Sequence, residues 1–210
     1  MRGTLADGQY KRIGFIGING TGKSTAMLQM LQAMYDTTVH RILILIPTTP
    51  QAYKHIHRFK TYEDLKQPWA GIALFWDDTC PADKMVENIA NLIVEGDRNG
   101  QHWMQNGAIV FEDASNYIEH TPSKPIKSFL GNHRMYHLDL FFTVHSWKDL
   151  PGFLRRRLTH LRIFKTLDAF ESYHRLAGLD YPNAENLYQV WVQVMNHTSN
   201  YFNQLVKTGV

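Results

Sequence analysis

Short, nearly continuous apolar runs alternate along this chain with stretches in which apolar residues return every three or four positions. The runs are Arg12–Ile16, Arg41–Ile46, Ile72–Trp76, Ala108–Phe111, Leu138–Val144 and Leu161–Phe164. Apolar on both faces, such runs predict central strands of a parallel sheet. After the first run, Met27, Met30, Leu31 and Met34 fall at i, i+3, i+4 and i+7 and predict a helix. Met85, Val86, Ile89, Leu92 and Ile93 predict another, its stripe turned toward the core. Pro47 and Pro50 stop the second run, and Asp77-Asp78 the third. Residues 51–70 are polar and aromatic without a clean period, so no element is predicted there. In the tail, Tyr188, Val190, Val192 and Val194 alternate with Gln189, Trp191 and Gln193, and the turn-like Asn196–Asn200 precedes Tyr201–Lys207. This predicts a hairpin, with a helix through 183–195 as the alternative. The whole reads as α/β: a mostly parallel central sheet flanked by helices, with a C-terminal β-hairpin.

Composition narrows this only a little. A chain of 210 residues with 44% apolar content suits one domain with a proper core. No repeat, low-complexity tract or linker divides it, which gives a core of about 10–178 and a C-terminal extension of 179–210. Cys80 is the lone cysteine, so no internal disulfide is possible and a reducing compartment is expected. No apolar run approaches the ~20 residues of a membrane span. The polar Met1–Gln9 lacks the apolar centre of a signal peptide. The expectation is a soluble cytoplasmic protein. The net charge of +3 permits contact with nucleic acid without demanding it. His55 and His57 lack further ligands at suitable spacing and are expected on the surface.

The chemistry is concentrated in Gly17-Ile18-Asn19-Gly20-Thr21-Gly22-Lys23-Ser24, which fits the phosphate-binding pattern G-x-x-x-x-G-K-[ST] between a predicted strand and a predicted helix. Glycines let the backbone N–H groups curl inward toward an anion, and the helix start adds its positive end. Lys23 can reach the β and γ phosphates, and the Ser24 hydroxyl can ligate Mg²⁺. Gly17, Asn19, Gly20, Thr21, Gly22, Lys23, Ser24 and Thr25 are therefore the expected contacts for ATP.

Downstream, the Ala108–Phe111 run ends in Glu112-Asp113. One acid at such a strand end can hold Mg²⁺, with Ser24, and the next can polarise an attacking water. The Leu138–Val144 run ends at His145, which could touch the γ-phosphate if its strand lies beside the first. Arg155-Arg156-Arg157 could be a solvated face, a charge supplied to a neighbouring subunit's γ-phosphate, or a grip on a nucleic-acid backbone.

In this order, the motifs resemble the RecA-like (ASCE) motor ATPases, and within them the HerA–FtsK superfamily, in particular viral genome-packaging ATPases; the Zot-like phage assembly ATPases come next. The resemblance covers roughly residues 12–166. It rests on Ile109–Asp113, where Glu112 stands at a position that is usually Asp. It rests also on His133–Asp139 running to His145, where Met135 replaces a usual His and His145 a usual Gln. The last stretch is Asp149-Leu150-Pro151-Gly152-Phe153-Leu154-Arg155. The resemblance implies ATP hydrolysis coupled to movement of double-stranded DNA into a capsid, in the host cytoplasm or on the virion. Lys23, Glu112, Asp113 and His145 would act in one subunit, and Arg134 or Arg155 would reach the site from the next. That requires a homo-oligomeric ring, hexameric by resemblance, with a capsid vertex or other virion protein as partner. The alternatives are a Zot-like assembly or secretion ATPase and a P-loop kinase of a small metabolite.

Overall fold

The computed structural model describes residues 10–37, 40–101, 103–104, 106–116, 118, 121–168 and 181–208. The expected N-terminal segment and the boundary near 178–179 lie outside the described residues. In chain order the elements are β1 (Arg12–Ile16), α1 (Lys23–Met34), β2 (Arg41–Leu45), β3 (His57–Phe59), α2 (Tyr62–Lys66), β4 (Gly71–Phe75), α3 (Ala82–Arg98), β5 (Ala108–Phe111), α4 (Lys124–Asn132), β6 (Asp139–Val144), α5 (Gly152–Arg155), β7 (His160–Ile163), α6 (Ala184–Asn196) and β8 (Gln204–Lys207). The strands form one eight-stranded sheet in the order β3-β4-β2-β5-β6-β1-β7-β8. Every pairing is parallel except β7 with β8.

The two-sided apolar runs become strands buried on both faces, as a parallel sheet requires. Ile42 and Ile44 of β2, Ala108 and Val110 of β5, and Ile13 and Phe15 of β1 pack with Met27 and Leu31 of α1. Their neighbours Leu43, Leu45, Ile109 and Phe111 face the other way, toward Met85, Ile89 and Ile93 of α3 and Leu130 of α4. Each fully buried Leu, Ile or Phe contributes about 1.5–3 kcal/mol of transfer free energy, so both layers hold the strand tips at one edge in fixed register.

The tail differs from its expected form. Tyr188–Val194 is not a strand but part of α6, the alternative that the sequence left open. Leu187, Trp191 and Val194 are its buried residues, at i, i+4 and i+7, and this stripe packs on the same core layer as α3 and α4. Burial of that stripe outweighs the strand preference of Val, Tyr and Trp. The antiparallel pair at the C-terminal end is formed instead by β8 on β7, with Val206 opposite Leu161.

Residues 51–70 hold elements that show no period because they are short. A 3₁₀ turn spans Gln51–Tyr53, β3 covers three residues, and α2 has five. α2 opens on a capping box in which the Thr61 hydroxyl accepts from the Asp64 N–H while Asp64 accepts from the Thr61 N–H. His55 and His57 are exposed, as expected.

At the start of β5 the chain passes very close to β2. A Cβ on Gly107 would sit 2.1 Å from the Arg41 carbonyl oxygen and 3.0 Å from that of Met104. Gly107→Ala should therefore push β5 off β2 and lower the unfolding free energy by about 1–3 kcal/mol, read as a shift in the urea midpoint at constant m-value. An unshifted midpoint would mean that this contact does not set the spacing of the two strands.

Candidate nucleotide site

β1 delivers the chain into a loop that its neighbours hold on both sides. The Gly17 N–H donates to the Val144 carbonyl at 3.1 Å, and the Ile18 N–H to the Lys165 carbonyl at 2.8 Å. A Cβ on Gly17 would stand 2.5 Å from the Phe164 Cβ, so the loop's close run over the end of β7 depends on glycine there. Gly20 and Gly22 lie at φ 78° and 82°, left-handed values that cost other residues roughly 1–2 kcal/mol. They fold the loop back so that α1 starts at Lys23. The Thr21 hydroxyl donates to the Ile18 carbonyl at 2.8 Å and closes the curl. Inside it, the Lys23 ammonium donates to the Gly17 carbonyl and, at 3.0 Å, to that of Ile18. Asn19 lines the cavity above, while Thr25 is exposed on α1.

β6 lies between β1 and β5, pairing with both. The sheet thus brings the tips of β5 and β6 alongside the loop. The Ser24 hydroxyl donates to Glu112 Oε1 at 2.6 Å. Glu112 is only 6% exposed, and burial pushes its carboxyl above the usual range against the pull of Ser24. Burial likewise lowers the Lys23 ammonium, an effect that Asp113 and Glu112 oppose. Asp113 sits at φ 53°, a left-handed turn that Asp tolerates better than most residues. Its N–H donates to the Thr143 hydroxyl at 2.8 Å, and its Oδ1 meets His145 Nε2 at 2.9 Å. Lys23, Ser24, Glu112 and Asp113, with Asn19 and the Ile46–Pro50 segment, line a cavity of about 180 Å³.

These residues fit a magnesium-bound triphosphate. Among the described residues no three His, Cys, Asp or Glu side chains converge on one point. A cation here would take Ser24 and Glu112 from the protein, and the rest of its shell from phosphate oxygens and water. That sharing is the habit of Mg²⁺. The larger cavity of about 620 Å³, around Arg41, Glu95 and Trp103, lies at the opposite edge of the strands and contains none of the expected site residues.

The two candidate arginines are not near this cavity in equivalent ways. Arg155 is half-buried, and its Nη1 donates to the Trp147 carbonyl at 3.4 Å, a long bond that ties it to the turn after His145. Arg134 is exposed, in the turn before β6, at the far edge of the sheet from the loop. Within one chain the sheet therefore unites Lys23, Ser24, Glu112, Asp113 and His145, and leaves Arg134 away from them.

Sequence reasoning missed three residues here. Thr143, fully buried, receives the Asp113 N–H; its signal was a lone hydroxyl inside an apolar run. Tyr201 is exposed, and its ring lies 3.3 Å from where a Gly22 Cβ would be; the tail's expected pairing with Tyr188–Val194 hid this. Tyr53 gave no signal, because the 3₁₀ turn that carries it is too short to show a period. It is completely buried, and its hydroxyl stands beside Ser24 and Glu112 yet outside good hydrogen-bond geometry. Burial, and then the Glu112 charge, push that phenol up.

No family model and no curated protein sequence matches this chain. Solved structures do. The genome packaging NTPase B204 from Sulfolobus turreted icosahedral virus 2, in complex with ATP-gammaS, superposes with a TM-score of 0.71 at 13% identity, over 94% of this chain and 92% of that one. The DNA-packaging ATPase B204 from Sulfolobus Turreted Icosahedral Virus gives 0.68 at 12% identity, over 94% and 92%. The cytoplasmic domain of the Thermomonospora curvata Type VII Secretion ATPase EccC gives 0.62 at 14%, over 94% of this chain and 24% of that one. The likeness to packaging ATPases expected from the motifs thus holds at the level of the fold, the α/β architecture with its mostly parallel sheet and C-terminal antiparallel pair.

An unsatisfied buried hydroxyl costs about 1–3 kcal/mol, so Tyr53→Phe should leave the ligand-free melting temperature equal or raised. If Glu112 accepts from Tyr53 once Ser24 turns to a cation, the same variant should lose part of the melting-temperature rise produced by Mg²⁺ and a non-hydrolysable ATP analogue. A lowered ligand-free melting temperature with a full ligand shift would make the hydroxyl purely structural.

Proposed function

We propose that this protein is an ATP-hydrolysing motor that moves double-stranded DNA into a viral capsid. The observation that carries the reading is the placing of β6 between β1 and β5. It brings His145 onto Asp113, which lines one cavity with Lys23 and Ser24. The fold shared with packaging ATPases supports the same reading.

Lys23 would neutralise charge that develops on the transferring γ-phosphoryl group. Ser24 and Glu112 would hold Mg²⁺, which spreads the charge of the β and γ oxygens. Asp113, half exposed and outside the Ser24–Glu112 pair, is the carboxylate available to orient and deprotonate water. His145, bonded to Asp113, would hold that carboxylate in place and sense the γ-phosphate. Arg155, whose Nη1 donates to the Trp147 carbonyl, would act within its own subunit. The exposed Arg134 is then the better candidate to complete a neighbour's site, in a closed ring with heterologous contacts, hexameric by analogy. A capsid vertex or other virion protein would be the ring's partner, in the host cytoplasm or on the virion. No helix among the described residues is long and apolar enough to cross a membrane.

A second reading is an assembly or secretion ATPase that moves protein, favoured by the fold shared with EccC. ATP turnover with and without duplex DNA separates the two. The motor should turn over faster with DNA; equal turnover sinks the DNA reading. Asp113→Asn, which keeps a residue tolerant of the left-handed turn, should bind ATP normally while turnover falls about 10²- to 10⁴-fold. Normal turnover in that variant would move the base elsewhere. Mixing Arg134→Ala subunits with Asp113→Asn subunits should restore part of the activity that each lacks alone. No rescue at any ratio removes Arg134 from the neighbour's site.

A further inference from the structure

On the face of the sheet away from α1, α4 and α5 line a third cavity, open and of about 350 Å³. Lys124, Lys127 and Arg157 line it together with Ser128, Asn132 and Phe153, and no acidic side chain does. Resting on the motor reading above, we infer that this cavity is a phosphate site that takes the backbone of duplex DNA.

Three local conflicts point to an anion there. The first is on α4, whose opening turn carries Lys124 and Lys127 and no acid. A helix start is the positive end of the macrodipole, so each lysine there is unfavourable unless an anion arrives. The second is Arg157, which lies across the last turn of α4. A Cβ on Gly131 would be 2.9 Å from its Nη1, so the guanidinium occupies space that only glycine leaves. The carbonyls at that helix end carry about half a negative charge, enough to orient Arg157 and too little to balance three full charges. The third is Arg12, at the start of β1, which lies outside the cavity's lining but within electrostatic reach of Arg157. It is 7% exposed, and its Nε has no hydrogen-bond partner. Burial first, then Arg134 and Arg157, lower its guanidinium to about 10. Among the described residues none of these cations is ion-paired with a carboxylate.

An exposed lysine alone is ordinarily just solvated. Here two exposed lysines and an exposed arginine line one concavity without a counter-charge, and a buried, partly unsatisfied arginine outside the lining feels the charge of that arginine. Phosphodiesters supply that charge at regular spacing, and lysine and arginine contacts to them are indifferent to sequence, as a packaging motor needs.

The test measures binding of a fluorescein-labelled duplex across a KCl series. Lys124→Gln/Lys127→Gln should reduce the slope of log K against log salt by about 0.9 for each phosphate that is no longer neutralised, or roughly 1.8 for the pair. DNA-independent ATP turnover should stay at the wild-type value. Gly131→Ala, which displaces Arg157, should weaken binding in the same direction. Lys54→Gln/Lys60→Gln, exposed near β3, is the control and should keep the wild-type slope. Wild-type binding with an unchanged slope in Lys124→Gln/Lys127→Gln overturns the inference and leaves the motor reading standing. A drop in DNA-independent turnover in that variant also overturns it, by assigning the lysines to nucleotide held on a neighbouring copy. If the wild-type protein binds no duplex at any salt, the motor reading falls, and this site with it.

Discussion

Most of the architecture can be traced to one requirement, the burial of two opposite charges on different elements. Lys23 starts α1, and Glu112 follows the last residue of β5. Both are at most 7% exposed. Taking an ion out of water costs several kcal/mol after relaxation, which is why burial depresses the ammonium and raises the carboxyl. Each needs close donors or acceptors held in place. Glu112 has Ser24, at 2.6 Å; Lys23 has the carbonyls of Gly17 and Ile18. These partners belong to the loop after β1, so β1 and β5 must stay in fixed register although β6 lies between them. Two apolar layers provide that register.

That arrangement also separates roles. Glu112 is buried and bonded to Ser24, which suits holding a cation. Asp113, one residue on, is turned out by its left-handed backbone toward His145. Adjacent residues of one strand end thus receive different environments from a single backbone turn.

What could be read from the chain follows from how each feature is encoded. The loop, the six central strands and the acid pair are local patterns: a contiguous motif, runs of Ile, Leu and Phe, and two acids at a strand end. All were legible. α6 was ambiguous because Tyr188, Val190, Val192 and Val194 satisfy a period of two, while Leu187, Trp191 and Val194 satisfy the helical one. Only the core that receives the second set decides. Tyr53 and Tyr201 were invisible because their roles depend on contacts across roughly 30 and 180 residues (53 − 24 = 29, 201 − 22 = 179). Arg134 and Arg155 could not be ranked without the sheet order, which leaves one at the far edge and the other tied to Trp147.

The nucleotide cavity and the basic cavity are joined by a short, tightly held piece of chain. From His145 the backbone passes through the Ser146–Asp149 capping box, whose Trp147 N–H donates to Asp168 Oδ2 at 3.0 Å, and then into α5. Arg155 bonds back to the Trp147 carbonyl, and Arg157 follows two residues later, over Gly131. Only 157 − 145 = 12 residues separate the group beside Asp113 from the cation beside α4. A packed interior transmits displacement rather than absorbing it. If His145 moves when the γ-phosphate leaves, α5 is the element that must move or resist. Its anchors, the Trp147 carbonyl and Asp168, are the contacts whose strength would decide which. The half-buried Arg155 would then have a physical role that needs no neighbouring subunit: its bond to the Trp147 carbonyl ties α5 to the turn after β6.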